Sequence, residues 1–244
     1  MDIALADADA VYEYYRGHRQ PALRAKALYG WLALRHRPDV HLDGEAARRL
    51  RELRREPGHA VIVSANHVRQ TDPFVLAATG FRSPLRPRIG TIRVLAKDGL
   101  FQDPEQRRKI DVMGGIPVFR PKDHGVRESM AAGRTMIDVC IDRMSRGDWL
   151  AVFPEGTCNK GDPARLQPLG SGLGHIALGA LRRGQPVSLV SIGLAYRDTT
   201  AQRTSVSISE PVEFDGAARK SAAAATRFAA ARLQEAVDRA TARL

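Results

Sequence analysis

A chain of 244 residues with 43% apolar side chains is long enough to bury one large α/β core or two small ones without a disulfide or metal staple. Its 38 Lys+Arg against 27 Asp+Glu leave a formal charge of +11, which favours an acidic partner: nucleic acid, anionic lipid or a phosphorylated substrate. The two cysteines, Cys140 and Cys158, form no CxxC pair and accompany no histidine cluster at ligand spacing, which argues against a zinc site or a disulfide framework and fits a reducing compartment.

The first fifteen residues are acidic and lack the apolar core of an export signal, and no apolar run reaches the ~18 residues of a membrane span. A cytoplasmic protein is the expectation. Residues 2 to 15 and 21 to 36 read as two helices broken near Gly17 and Pro21, and a third starts at Asp43. Within this helical beginning, residues 16 to 38 carry six Lys/Arg and no acid beside Tyr29, Trp31 and several leucines, a pattern suited to an interfacial helix on an anionic membrane surface.

The hydrophobic period then changes. Short β-rich runs follow at 59–65, 92–97, 116–119, 149–153, 187–196 and 204–214, with helical segments between several of them. The alternation predicts an α/β fold with a mixed, partly parallel central sheet flanked by helices and a helical N-terminal appendage. We divide the chain at residue 56, with a helical segment at 1–56 and an α/β domain at 57–244. Between the third and fourth runs, Val126, Met130, Ile137, Ile141 and Met144 are expected to form the buried face of one helix. Phe228, Leu233, Val237 and Leu244 do the same for a closing helix, with Arg227, Arg232, Arg239 and Arg243 on its solvated side.

Three of the β-type runs end in polar groups, and strand ends are where open α/β sheets bind ligands. The first run delivers His67 and, five positions on, Asp72 followed by Pro73. Asp72-Pro73 is what an N-cap with proline at the first helical position looks like. A carboxylate bonded to one imidazole nitrogen also fixes the tautomer so that the other nitrogen can take a proton. The run at 92–97 ends at Lys97, and Arg120 follows the next run. The run at 149–153 ends in Phe153-Pro154-Glu155-Gly156-Thr157, which reads either as a turn or as a second set of polar groups at the same edge. The glycines of "GSGLGH" fail the dinucleotide spacing because His175 stands where the last glycine would fall.

In order and wording these blocks resemble the glycerolipid acyltransferases typified by 1-acylglycerol-3-phosphate O-acyltransferase. Asn66, His67 and Asp72 are similar to the family's first block, Lys97 through Arg120 to the second, Phe153 to Thr157 to the third, and the strand at Pro186 to Leu194 to the fourth. The resemblance implies an α/β fold with an acyl-chain groove, His67 as general base and Asp72 as its partner, with Asn66, Lys97, Arg120, Glu155, Gly156 and Thr157 binding acceptor or donor. It implies transfer from an acyl thioester, acyl-CoA or acyl carrier protein, to a lysophospholipid-like acceptor at the membrane surface, with no metal and no cofactor. The chain departs from the pattern at Cys158, where the family usually has arginine, at Gly170, where lysine is frequent, and at Ser191, where proline is usual. Loss of the arginine opens the alternative of another acceptor, a lyso-aminolipid or glycolipid. Cys158 as an acyl-carrying nucleophile is the less favoured reading, because the resembling enzymes transfer directly. A nucleic-acid-binding protein is the rival from another class. It rests on charge alone, with neither zinc-finger spacing nor an RNP-type aromatic block, so no nucleic acid partner is expected.

Overall fold

The computed structural model describes residues 2–197 and 204–244. The chain opens with a single 3-10 turn and then α1 (Ala8–Gly17), whose Val11, Tyr12 and Tyr15 recur at one helical face and are buried. Pro21, compatible with the first turn of a helix but not its interior, precedes α2 (Ala22–His36). That helix ends at Arg37, whose φ of 45° makes it the one non-glycine residue in the left-handed region among those described.

Directly afterwards the structure places β1 (Asp39–Leu42), a strand absent from the sequence reading of 1–56 as helical. Four residues behind Pro38 are too few to show a period, and this strand exists because β7 (Thr204–Ile208) pairs with it in parallel from Asp39–Ser205 to Leu42–Ile208. The first 56 residues thus contribute to the sheet as well as to its helical cover. The third helix, α3 (Ala46–Leu53), buries Ala46, Leu50 and Leu53.

The rest of the sheet follows the apolar runs. In chain order the elements are β2 (Ala60–Ala65), α4 (Asp72–Arg82), β3 (Ile92–Lys97), α5 (Pro104–Val112), β4 (Gly115–Val118), α6 (Pro121–His124), α7 (Val126–Ser145), β5 (Trp149–Val152), α8 (Gly172–Arg182), β6 (Val187–Tyr196), β7, β8 (Val212–Glu213) and α9 (Ala222–Thr241). The eight strands form one sheet in the order β1-β7-β6-β2-β5-β3-β4, with β8 also on β6. From β6 to β4 all neighbours are parallel, whereas β7 and β8 run antiparallel to β6. The expected mixed α/β architecture is therefore present. The run at 204–214 is two strands rather than one, since Glu210-Pro211 interrupts it and proline cannot donate to a ladder.

Both sheet faces are covered, so β2 and β5 are buried at every position and read as continuous apolar runs. α7 corrects an expectation. Val126 and Met130 are 70% and 48% exposed, whereas Ile141 and Met144 are buried as expected and Ile137 is half-buried, and the helix also buries Ser129, Ala132, Met136, Val139, Cys140 and Arg143. Those residues keep the three-and-four spacing of a core face, and the small Ser129 and Ala132 do not register when only large side chains are counted. In α9, Leu233 and Val237 are buried as expected, while Leu244 is exposed and Arg239 pairs with Asp43.

The N-terminal helices are tied to the sheet by a buried ionic cluster. Asp148 accepts from Arg93 Nε at 2.7 Å and from Arg143 Nη2 at 2.5 Å, while Arg93 Nη2 donates to the His18 carbonyl and Arg143 Nη1 to that of Arg16. Removing one member of such a cluster strands a buried charge, which costs about 3–5 kcal/mol. No helix among the described residues is long and apolar enough to cross a membrane.

Candidate active site

Because β2, β5, β3, β4 and β6 are mutually parallel, their C-terminal ends share one edge of the sheet. The structure therefore brings together Asn66 and His67 beyond β2, Lys97 at the end of β3, Arg120 beyond β4, and Glu155, Gly156 and Thr157 beyond β5. Asp72 is the first residue of α4 and Thr71 takes the N-cap position, so the N-cap reading of Asp72 is corrected: its carboxylate turns back to the loop before the helix. Its Oδ2 accepts from the backbone N–H groups of Val68 at 2.6 Å and Arg69 at 2.8 Å, and from His67 Nδ1 at 3.0 Å. Asp72 is fully buried, so these donors stand in for water. A proton on Nδ1 pointing at a carboxylate leaves Nε2 as the acceptor nitrogen.

The backbone of His67 is held on both sides. Its N–H donates to Glu155 Oε1 at 2.7 Å, and its carbonyl accepts from the Asn159 N–H at 2.6 Å. Glu155 uses its other oxygen on the Gln167 N–H at 3.0 Å, so this carboxylate staples the β5 loop to the histidine loop. Asn66 is 2% exposed, and its amide both donates to and accepts from the Leu194 backbone at 2.9 and 2.7 Å, fastening the end of β2 to β6. In this geometry Asn66 and Glu155 position His67. The His67 ring lies against Phe153, with centroids 4.5 Å apart.

The cations lie on the β3–β4 side. Arg120 Nε is 2.6 Å from Asp123, and its Nη1 donates to the Gly156 carbonyl at 2.8 Å, which Lys122 approaches at 3.4 Å. Lys97 Nζ is 3.5 Å from Asp123. Gly156 has φ of 66°, where a side chain would be strained, and this turn aims its carbonyl at the two cations. Thr157 is partly exposed in the same loop.

One neighbour of the histidine was not legible in the sequence, and a second was legible only as a departure from the family pattern. Tyr196, the last residue of β6, donates its phenol to Asp72 Oδ1, giving the carboxylate a fourth donor, and its ring carries the Arg69 guanidinium at 3.9 Å. Burial, and then the neighbouring Asp72, push the Tyr196 phenol far above its ordinary range, so it stays a donor. The only signal in sequence was a tyrosine at the end of an apolar strand. Cys158 Sγ lies 3.4 Å from His67 Nε2 and 3.8 Å from Nδ1. Nearly equal distances to two nitrogens on different sides of the ring put the sulfur over the ring face, out of line with the in-plane lone pair of Nε2. Burial, followed by Asp72, raises the thiol above its usual range, so the group beside the base is a neutral thiol where the family pattern has a cation.

The arrangement is a partnered imidazole at a strand edge, flanked by cations and a neutral thiol, equipped to take a proton from a hydroxyl. None of the curated proteins compared with the chain matches it. A family model described as Acyltransferase matches residues 43–194, which hold β2 to β5, most of β6 and every site residue named above except Tyr196. The chain belongs to the acyltransferase family.

Proposed function

We propose that the protein moves a fatty acyl group from an acyl thioester, acyl-CoA or acyl carrier protein, to a hydroxyl of a lysophospholipid such as 1-acylglycerol-3-phosphate. The observation that carries this reading is the His67–Asp72 pair, with Nδ1 bound to a buried carboxylate at 3.0 Å and Nε2 left as the base. In the proposed reaction Nε2 takes the acceptor's hydroxyl proton as the oxygen attacks the thioester carbonyl. The tetrahedral intermediate collapses by breaking the C–S bond, and the departing thiolate takes the proton back from the imidazolium. Asp72 stabilises the transient imidazolium without itself being protonated. No metal or cofactor enters the scheme.

The membrane surface is the proposed place of work. Leu23, Trp31 and Leu34 on α2 are 83%, 59% and 70% exposed, among the cations Arg24, Lys26 and Arg35. Phe74, two residues past Asp72, is also exposed and stacks on His36, so the apolar surface runs from α2 to the first turn of the catalytic helix. Apolar residues amid Lys and Arg suit peripheral binding to the anionic inner face of a cell membrane.

A second reading keeps the chemistry and changes the acceptor to a lyso-aminolipid or glycolipid. It is favoured by Cys158 in the arginine position and by Arg120 being bonded already to Asp123 and Gly156. The test is a mass-spectrometric screen of lysolipid acceptors with acyl-CoA and acyl carrier protein donors. Wild type should form a diacyl product with at least one acceptor, and His67→Ala should lower its rate by about 10²–10⁴ while remaining folded. Near-normal turnover in His67→Ala would sink the catalytic assignment.

A further inference from the structure

The ends of β3 and β4 carry a second His–Asp pair, which the proposed transfer does not use. His124, the last residue of α6, donates from Nε2 to Oδ2 of Asp98, the residue directly after β3, at 2.8 Å. Asp98 is 5% exposed, and its Oδ1 has no partner among the described residues. One imidazole therefore supplies the hydrogen bonding of a carboxyl group held away from water, where such groups need partners.

What the pair holds in place is the turn that begins at Arg120. The N–H groups of Asp123 and His124 both donate to the Arg120 carbonyl, at 3.0 and 3.1 Å, and no residue of α6 is buried. A single helical turn is unstable by itself in water, so its placement depends on side chains that tie it down. Two ties run to consecutive residues at the end of β3. Asp123 meets Lys97 at 3.5 Å between two exposed residues, a kind of pair that contributes little. His124 meets Asp98 out of water and is the tie that fixes the turn. At the start of the turn, Arg120 uses Nε on Asp123 and Nη1 on the Gly156 carbonyl, and its Nη2 has no partner among the described residues.

We propose that Asp98 and His124 are the positioning pair of an anion subsite at the β3–β4 side of the strand-end edge. They hold the turn so that Arg120 Nη2, with Lys122 beside it at the Gly156 carbonyl, meets an anionic oxygen of the substrate. His124 acts through Arg120 and does not itself touch substrate. The assignment rests on the reading of Arg120 as a substrate-binding residue.

The test uses the full chain, with glycerol 3-phosphate as the probe in calorimetry and hydrogen exchange followed in peptides covering 119–125. Acyl transfer is assayed with 1-acylglycerol-3-phosphate and with 1-acylglycerol, which lacks the phosphate. Glutamine at position 124 puts its amide nitrogen where Nε2 stood, whereas asparagine stops one bond short. His124→Asn should bind the probe about 10-fold more weakly, raise KM for the phosphorylated acceptor alone by the same factor, keep kcat, and exchange faster at Asp123 and His124. His124→Gln should restore all of these. In an Arg120→Ala background His124→Asn should add nothing, because its effect runs through that arginine. Asp98→Ala/His124→Ala removes both partners, strands no buried group, and should show the same loss even if His124→Asn fails to fold. Wild type that binds no phosphate, His124→Asn that binds as wild type does, equal losses in His124→Asn and His124→Gln, or a further loss on top of Arg120→Ala would each overturn the proposal. An inert wild type that still shows the expected binding pattern removes only the acyl-transfer reading. An active wild type whose phosphate binding is unchanged in His124→Asn removes only the positioning pair.

Discussion

Replacing Tyr196 by phenylalanine isolates one hydrogen bond. The ring that carries Arg69 remains, and only the phenolic donor to Asp72 Oδ1 is lost. Asp72 is fully buried, so bulk water does not replace that donor, and a hydrogen bond to a charged group contributes about 1.5–3 kcal/mol. For a chain of 244 residues each kcal/mol shifts the melting temperature by about 2–4 °C, so the variant should melt about 3–12 °C below wild type. The bond between His67 Nδ1 and Asp72 Oδ2 survives, as do both backbone donors to Oδ2. The tautomer is therefore kept, and turnover should fall by about 10-fold, short of the loss from removing a general base. Differential scanning fluorimetry and single-turnover acyl transfer read the two quantities separately. A Tyr196→Phe variant that melts with wild type and turns over at its rate would refute the idea that this phenol holds the catalytic carboxylate.

Iodoacetamide should modify Cys158, which is partly exposed, and spare the fully buried Cys140, as peptide mapping will show. Since burial raises the Cys158 thiol, its labelling rate at neutral pH should lie below that of a free thiol and still be rising above pH 9.0, and labelling should abolish acyl transfer by covering His67. Trp31→Ser/Leu34→Ser removes two exposed apolar side chains worth about 1.5–3 kcal/mol each when buried. Vesicle binding should weaken by at least about 100-fold with the melting temperature unchanged. Equal binding by variant and wild type would remove α2 from the membrane contact. Burial raises the phenols of Tyr12, Tyr15 and Tyr196 well above the ordinary 10.0, so above that pH the unfolded chain loses protons that the folded chain keeps. Stability from these groups is fully present below pH 10.0 and declines as pH rises through it, which denaturant midpoints between about pH 9 and 11 will show.

The sequence alone determined the α/β class and the strand ends at which polar groups gather. Both follow from local rules: apolar runs mark buried strands, and Asp72-Pro73 or Glu155-Gly156 marks what comes after them. The β1 strand was invisible because four residues carry no period and the pairing partner lies at the far end of the chain. Which side chains meet was likewise decided by contacts across the fold. Asn66 matched a motif, but its clamp on Leu194 spans 128 positions, and Tyr196 reaches Asp72 across 124. No spacing rule encodes such separations, because they arise only when parallel strands bring their ends to one edge. Cys158 shows the same division: the sequence showed that a cation was replaced, and only the packing of the β5 loop over β2 laid its sulfur across the face of His67.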